Sequence, residues 1–193
     1  MMFFLTAASY FIGSIPFGLL IAKMNGVDIT KTGSGNTGAT NVFRTMGKGW
    51  GVGVFALDFF KGAIPVYLAQ ACFSDHLLIM ACGAAAILGH MYSPFLNFKG
   101  GKGVATGLGV VFAVAPYLFI TSFVLGIAII AASGYVSVAS ITGSVLLSIL
   151  MFTTGKPAPY AWGILILTVF IIYKHIPNMK RLIKGTENKI RLF

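Results

Sequence analysis

Along the chain, long uncharged apolar runs alternate with polar breaks of very different character. Met2 to Ala22 carries no charge and has about the ~20 residues a helix needs to cross a ~30 Å hydrocarbon core. It stops at Lys23. Residues 25–48 are polar and rich in Gly, Asn and Thr. Such a stretch cannot lie against lipid, where nothing satisfies an irregular backbone. Trp50 to Ala71 resumes the apolar pattern, and FSDH (73–76) makes a short turn into Leu77 to Tyr92. A second break, SPFLNFKGGKG, covers 93–103. Val104 to Ala132 is 29 residues without a charge, with Pro116 near its middle. That is longer than one crossing requires. GYVSV (134–138), Ala139 to Thr154, the turn GKPAP (155–159), Tyr160 to Tyr173 and a basic tail complete the chain.

Composition explains why these runs are not the core of a soluble fold. Hydrophobic residues make up 57% of 193 positions and charged residues only 9%. A soluble surface needs roughly a quarter of its residues charged. The chain is therefore expected to be all-α, a polytopic membrane helical bundle, and a single domain over residues 1–193. The first ten residues lack the positive leader of a cleavable signal, so the first run is expected to stay as a span.

The net charge of +10, from 14 Lys+Arg against 4 Asp+Glu, is too dispersed among apolar runs to make a nucleic-acid stripe. It decides topology instead, because cytoplasmic loops collect Lys and Arg. Lys23, Lys31, Arg44 and Lys48 flank the first break, Lys99 and Lys102 the second, and Lys174, Lys180, Arg181, Lys184, Lys189 and Arg191 fill the tail. If Val104 to Ala132 crosses twice, turning near Pro116, all twelve fall on one side. Lys156 is then outside and Lys61 within a span. Seven membrane segments follow, with the N-terminus outside and the C-terminus cytoplasmic. Val104 to Ala115 is short for a full crossing, and whether it spans is open.

Three cytoplasmic segments have more chemistry than a connector needs. In GSGNTGATNVFR (33–44) the glycines free backbone N–H groups to converge, and Ser34, Asn36, Thr40, Asn41 and Arg44 add donors, as loops that cradle phosphate do. A flexible linker is the plain alternative, but it has no need of the two asparagines and the arginine. Gly100, Gly101, Lys102 and Gly103 lead into the apolar run at Val104, so a helix N-terminus and a point charge suit an anion there. This is not a Walker A loop, since Leu96 stands where its first Gly belongs and Gly103 replaces the magnesium-binding Ser or Thr. The alternative is a positive anchor with a helix-breaking glycine pair.

In the tail, His175, Asn178 and Arg181 recur every three residues and would share a helix face. Pro177 would bend or restart the helix there. Glu187 lies among cations and reads as a pin for the tail. Ser137 and Ser140 read equally as ligand donors or as a polar helix start. Asp58 and Lys61, three apart within a span, read as a structural pair, and His90 as an interfacial residue. Cys72 and Cys82 read as packing residues. A His-x4-Asp acyltransferase signature, a G-x-S-x-G elbow, a Cys–His pair and an acidic metal cluster are all missing, so no metal and no cofactor is expected.

GSGNTGATNVFR, FKGGKGVAT and YKHIPNMKRLIKGTENK together resemble the three cytoplasmic motifs of the bacterial acyl-phosphate:glycerol-3-phosphate acyltransferases. The likeness extends to SIPFG, LDFFKG and LGHMYSPF, nearly the whole chain, and the motifs stand in the family's order. Pro177 and Met179 are mild departures. The resemblance implies transfer of a fatty acyl group from acyl phosphate to the 1-hydroxyl of glycerol 3-phosphate, giving lysophosphatidic acid and phosphate. The expected place is the bacterial cell inner membrane, with the active site facing the cytoplasm. It further implies activity roles for Ser34, Arg44, His175 and Asn178, and phosphate contacts from Asn36, Thr40 and Asn41. The glycerol 3-phosphate site falls at Gly100, Gly101, Lys102 and Gly103, with Ser140 and Arg181 as further binding residues and Glu187 as a structural one.

The expected chemistry is consistent with a site made of glycines, amides and cations. Acyl phosphate is a mixed anhydride with a stable anionic leaving group, so alignment and charge stabilisation matter more than a strong base. Whether His175 or a substrate phosphate takes the proton is open, as is docking of the enzyme that makes acyl phosphate. An anion transporter would share the hydropathy, yet should place ionisable residues near the midplane, where only Asp58 and Lys61 qualify. A non-catalytic scaffold would need none of the loops.

Overall fold

The computed structural model describes residues 2–190, so Arg191, counted above among the tail cations, lies outside the described residues. Among the described residues all regular structure is helical. The helices are α1 (Met2–Ser14), α2 (Phe17–Met24), α3 (Ala39–Met46), α4 (Lys48–Cys72), α5 (His76–Met91), α6 (Val104–Val114), α7 (Pro116–Ser133), α8 (Val136–Thr153), α9 (Ala158–Lys174) and α10 (Ile176–Ile183). A 3-10 turn covers Pro94–Leu96. Among the described residues, five segments are long and apolar enough to cross a bilayer, and the α9–α10 pair, bent by 50°, makes up to six. The contacts gather into two compact units, Met1–Ala113 and Val114–Phe193.

The seven expected segments are recovered as apolar helices, but not all as candidate spans. The 29-residue run divides at Ala115–Pro116 into α6 and α7. Proline has no N–H for the ladder and restricts its predecessor, so it starts a helix more readily than it continues one. With 11 residues, α6 is about 16 Å long, half of a ~30 Å core. The first run is also not one helix. Pro16 interrupts it, leaving Ile15 and Pro16 between α1 and α2. The larger departure lies in the first polar break, where Ala39–Met46 forms α3. Its Asn41 and Val42 are buried, and Val42 packs in a core cluster with Ala22, Ile29 and Val54.

In the first unit, helices approach closely over glycines. A Cβ on Gly13 would meet the Ala86 carbonyl, and one on Gly89 the Tyr10 carbonyl, so α1 lies backbone to backbone on α5. Gly62 and Gly109 do the same for α4 and α6, against Thr106 and Phe59. Small residues at such crossings let dispersion replace the hydrophobic drive that lipid does not supply. Cys82 is buried here, whereas Cys72 is exposed, against the expectation that both pack inside.

In the second unit, α7, α8 and α9 pack in sequence. A polar link from the Ser148 hydroxyl to Thr168 Oγ1 at 2.9 Å joins α8 to α9. The tail returns to the α7–α8 turn, where Ile190 N donates to Gly134 O at 2.8 Å and Lys189 Nζ lies 5.1 Å from the Tyr135 ring centre.

Candidate functional site

The glycine loop at 33–38 is folded around one amide side chain. Asn41, on the first turn of α3, accepts from Ser34 N at 2.8 Å through Oδ1. Its Nδ2 donates to Ile29 O at 3.2 Å and Thr32 O at 3.0 Å. Gly33 and Gly35 adopt left-handed backbone, φ +60° and +70°, a region that a side chain penalises. At Gly33 a Cβ would also run into Asn41 Oδ1. Asn36 Oδ1 accepts from Gly38 N at 2.9 Å, an Asx turn that leads into α3. Ser34 is exposed at the tip, Asn36, Thr40 and Arg44 are half-buried, and Asn41 is inside the loop. In the first motif Ser34 is thus presented outward, while Asn36 and Asn41 use their side chains to shape the loop.

The second loop is laid across the end of α5. Gly101 N donates to His90 O at 3.0 Å and Gly100 N to Met91 O at 3.1 Å. A Cβ on Gly101 would overlap His90 Nε2, and one on Gly103, at φ +81°, the Met91 methyl. Lys102 is half-buried between two buried glycines, immediately before α6 begins at Val104. The expected helix N-terminus is present, and a helix's first-turn N–H groups, which have no partner within the helix, favour an anion.

In the second unit the tail residues converge on a carboxylate. Glu187 Oε1 accepts from Asn178 Nδ2 at 2.6 Å and from the Ser137 hydroxyl at 3.0 Å. Its Oε2 accepts from Arg181 Nε at 2.7 Å. Burial alone would raise this carboxyl, but the bonds from Asn178, Arg181 and Ser137 and the Arg181 charge outweigh it and hold it below the usual carboxylate range. His175 is the hinge residue, ending α9 and starting α10. Its Nδ1 lies 2.8 Å from Ile171 O. A carbonyl only accepts, so Nδ1 carries the hydrogen of this contact. Ser140 donates to Val136 O at 2.8 Å within its own helix.

A small, narrow cleft in the first unit is lined by Thr37 and Gly101 from the two loops, by Ser14 and Ser93, and by Asp58, Lys61 and His90. The last three were read from sequence as a structural pair and an interfacial histidine. The signal that could have found them is their position: ionisable side chains inside an apolar span are functional candidates by default. Among the described residues no three His, Cys, Asp or Glu side chains come together to hold a metal.

A family model described as "Glycerol-3-phosphate acyltransferase" matches residues 3–185. This chain belongs to the glycerol-3-phosphate acyltransferase family. The namesake enzyme of Aquifex aeolicus is 46% identical over 187 residues, covering 96% of this chain and 97% of the relative. That of Geobacter sulfurreducens is 43% identical, covering 97% and 96%. A crystal structure of PlsY, described as an integral membrane glycerol 3-phosphate acyltransferase in its glycerol 3-phosphate form, superposes with a TM-score of 0.95 at 46% identity, covering 98% of this chain and 96% of that one. The lysophosphatidic acid form of the same protein gives 0.93, covering 98% and 95%. The chain is accordingly an integral membrane acyltransferase, and both glycine loops and most of the tail motif fall within the matched residues.

Proposed function

We propose that this acyltransferase moves a fatty acyl group from acyl phosphate to the 1-hydroxyl of glycerol 3-phosphate, giving lysophosphatidic acid and phosphate, as the first step of membrane phospholipid synthesis. The observation that carries the reading is the near full-length likeness to the glycerol 3-phosphate form of PlsY. Two backbone-rich, cation-bearing loops free of carboxylates support it. In the reaction the 1-hydroxyl oxygen attacks the acyl carbonyl carbon, the bond from that carbon to the bridging phosphate oxygen breaks, and inorganic phosphate leaves. The hydroxyl proton passes to a substrate phosphate oxygen or to His175.

The loop N–H groups with Arg44, Asn36, Thr40, Gly100, Gly101, Lys102 and Gly103 neutralise and orient phosphate. Asn41 acts through the shape of the first loop. Ser34, His175 and Asn178 align the nucleophile, Ser140 and Arg181 contribute to substrate binding, and Glu187 holds the tail. Seven segments, an outer N-terminus and a cytoplasmic C-terminus would put the loops on the cytoplasmic face of the bacterial inner membrane, supported by the twelve cations of the breaks and tail.

The test supplies purified protein with acyl phosphate and glycerol 3-phosphate and follows phosphate and lysophosphatidic acid, with acyl-CoA as a competing donor. Release no greater than from Ser34→Ala or His175→Ala controls would overturn the reading. Use of acyl-CoA alone would overturn the donor. For topology, single cysteines are introduced in the tail after replacing Cys72 and Cys82. Labelling from outside intact cells would overturn the orientation.

A further inference from the structure

Asp58, Lys61 and His90 form a buried cluster in the first unit, at 2%, 4% and 9% exposure, and the motif chemistry uses none of them. Their bonds join places where helices are interrupted. Lys61 Nζ lies 2.6 Å from Asp58 Oδ1 and donates to Ile15 O at 2.7 Å, a carbonyl at the Pro16 break. The Ser93 hydroxyl does the same for Ser14 O, at 2.7 Å. On its other side, Asp58 Oδ1 lies 3.8 Å from His90 Nδ1. The opposite ring nitrogen, Nε2, faces Gly101 with no room for a methyl group. The same histidine takes the Gly101 N–H on its backbone carbonyl.

We propose that Asp58, Lys61 and His90 are positioning residues for the acyl transfer. Lys61 neutralises the carboxylate, the carboxylate lies within ion-pair reach of Nδ1 and favours the imidazole orientation that turns Nε2 toward Gly101, and the imidazole sets how closely Gly101 lies on α5. The direction of the next residue, Lys102, and of the first N–H groups of α6 follows from that. A buried ion pair is weak evidence for stability, since apolar residues of similar volume often do as well. A pair that also orients a histidine behind a ligand-binding turn has a use that apolar residues lack, in the way outer partners orient catalytic imidazoles. The inference rests on reading residues 100–103 as a phosphate turn.

The imidazole geometry supplies the test. Asn at position 90 can present a donor near where Nδ1 lies, toward Asp58, whereas Gln reaches to where Nε2 lies, beside Gly101. Purified full-length His90→Asn, His90→Gln and Asp58→Asn are compared with wild type by steady-state kinetics, with thermal unfolding as the check on folding. His90→Asn is expected to raise KM for a phosphorylated substrate by about tenfold, with kcat moved by less than about threefold. His90→Gln is expected within about threefold of wild type, and Asp58→Asn in between, with unfolding temperatures that do not follow the KM order.

Folded His90→Asn with KM and kcat near wild type would overturn the proposal. So would His90→Asn and His90→Gln impaired alike in step with lost stability. Should His90→Asn fail to fold, Gly101→Ala alone and with His90→Ala, which clears the space that Nε2 fills, decides. A KM defect relieved in the double variant upholds the proposal, and no relief overturns it. Wild type that does not turn over glycerol 3-phosphate would remove both this inference and the reading beneath it, whereas active wild type with unaffected variants removes this inference alone.

Discussion

The glycine loop at 33–38 and the tail clamp at Glu187 solve the same problem, holding an irregular segment in one shape, with opposite chemistry. In the loop, a neutral amide, Asn41, gathers one N–H and two carbonyls. In the clamp, a carboxylate gathers Asn178, Ser137 and Arg181. A neutral organiser leaves the loop's positive potential intact for an arriving anion, while a carboxylate at that place would repel it. The clamp uses charge because three donors need one acceptor, and its carboxylate is thereby fully engaged. The acid of the tail is enclosed by donors, whereas the 33–38 loop is held by glycines and an amide.

The comparison is broken most directly at Glu187. Replacing it with Ala leaves Asn178 and Ser137 without their acceptor and removes the Arg181 pair. A loss of about 3 kcal/mol of stability is expected, toward the lower end for a broken buried pair because Arg181 is partly solvated. Thermal or denaturant unfolding in detergent measures it, and a change below about 1 kcal/mol would show that the clamp does not hold the tail. Asn41→Ala should follow at about 2 kcal/mol, with activity lost through the loop, because a backbone donor and two carbonyls lose their partner. Asn41→Asp keeps the acceptor for Ser34 N but sets a carboxylate oxygen against Ile29 O and Thr32 O, so stability should fall at least as far as in Asn41→Ala.

Gly33→Ala forces a Cβ onto left-handed backbone and against Asn41, for about 1–2 kcal/mol. Normal unfolding and activity in that variant would mean the loop has other shapes available. The smallest effect is on acid sensitivity. Glu187 is held below its unfolded range, so its stabilisation is complete above the ordinary carboxylate pKa of ~4.3 and fades as pH falls through its lower folded value. Glu187→Gln should flatten the acid limb of an unfolding-against-pH profile, and identical limbs would sink the assignment.

The apolar runs, their breaks and the glycine-rich motifs were legible because each rests on composition over many residues. The division at Pro116 and the α9–α10 bend beside Pro177 were legible from proline's missing N–H. Helix α3 was not. Its eight residues have a mean hydropathy near neutral and sit among turn formers, so local preference favours a loop. Burial of Val42 with Ala22, Ile29 and Val54 overrides it. Pro16 announced the break in the first run, but length and apolarity masked it. Nothing local says that Ile15 O would be met by Lys61 or Ser14 O by Ser93.

By itself, the sequence determined membrane residence, the positions of the polar breaks and the three motifs, because hydropathy and backbone permissiveness are properties of short stretches. Only the tertiary structure decided which side chains present donors and which are enclosed. Asn41 and Ser34 look equivalent along the chain, yet one lies inside the loop and the other at its tip. His90 looks like an edge residue until α4 brings Asp58 beside it and the 100–103 turn lies across its ring. Hydrogen-bond satisfaction is decided by neighbours far apart in sequence, and in a fold with so few charges those neighbours set what each polar group is free to do.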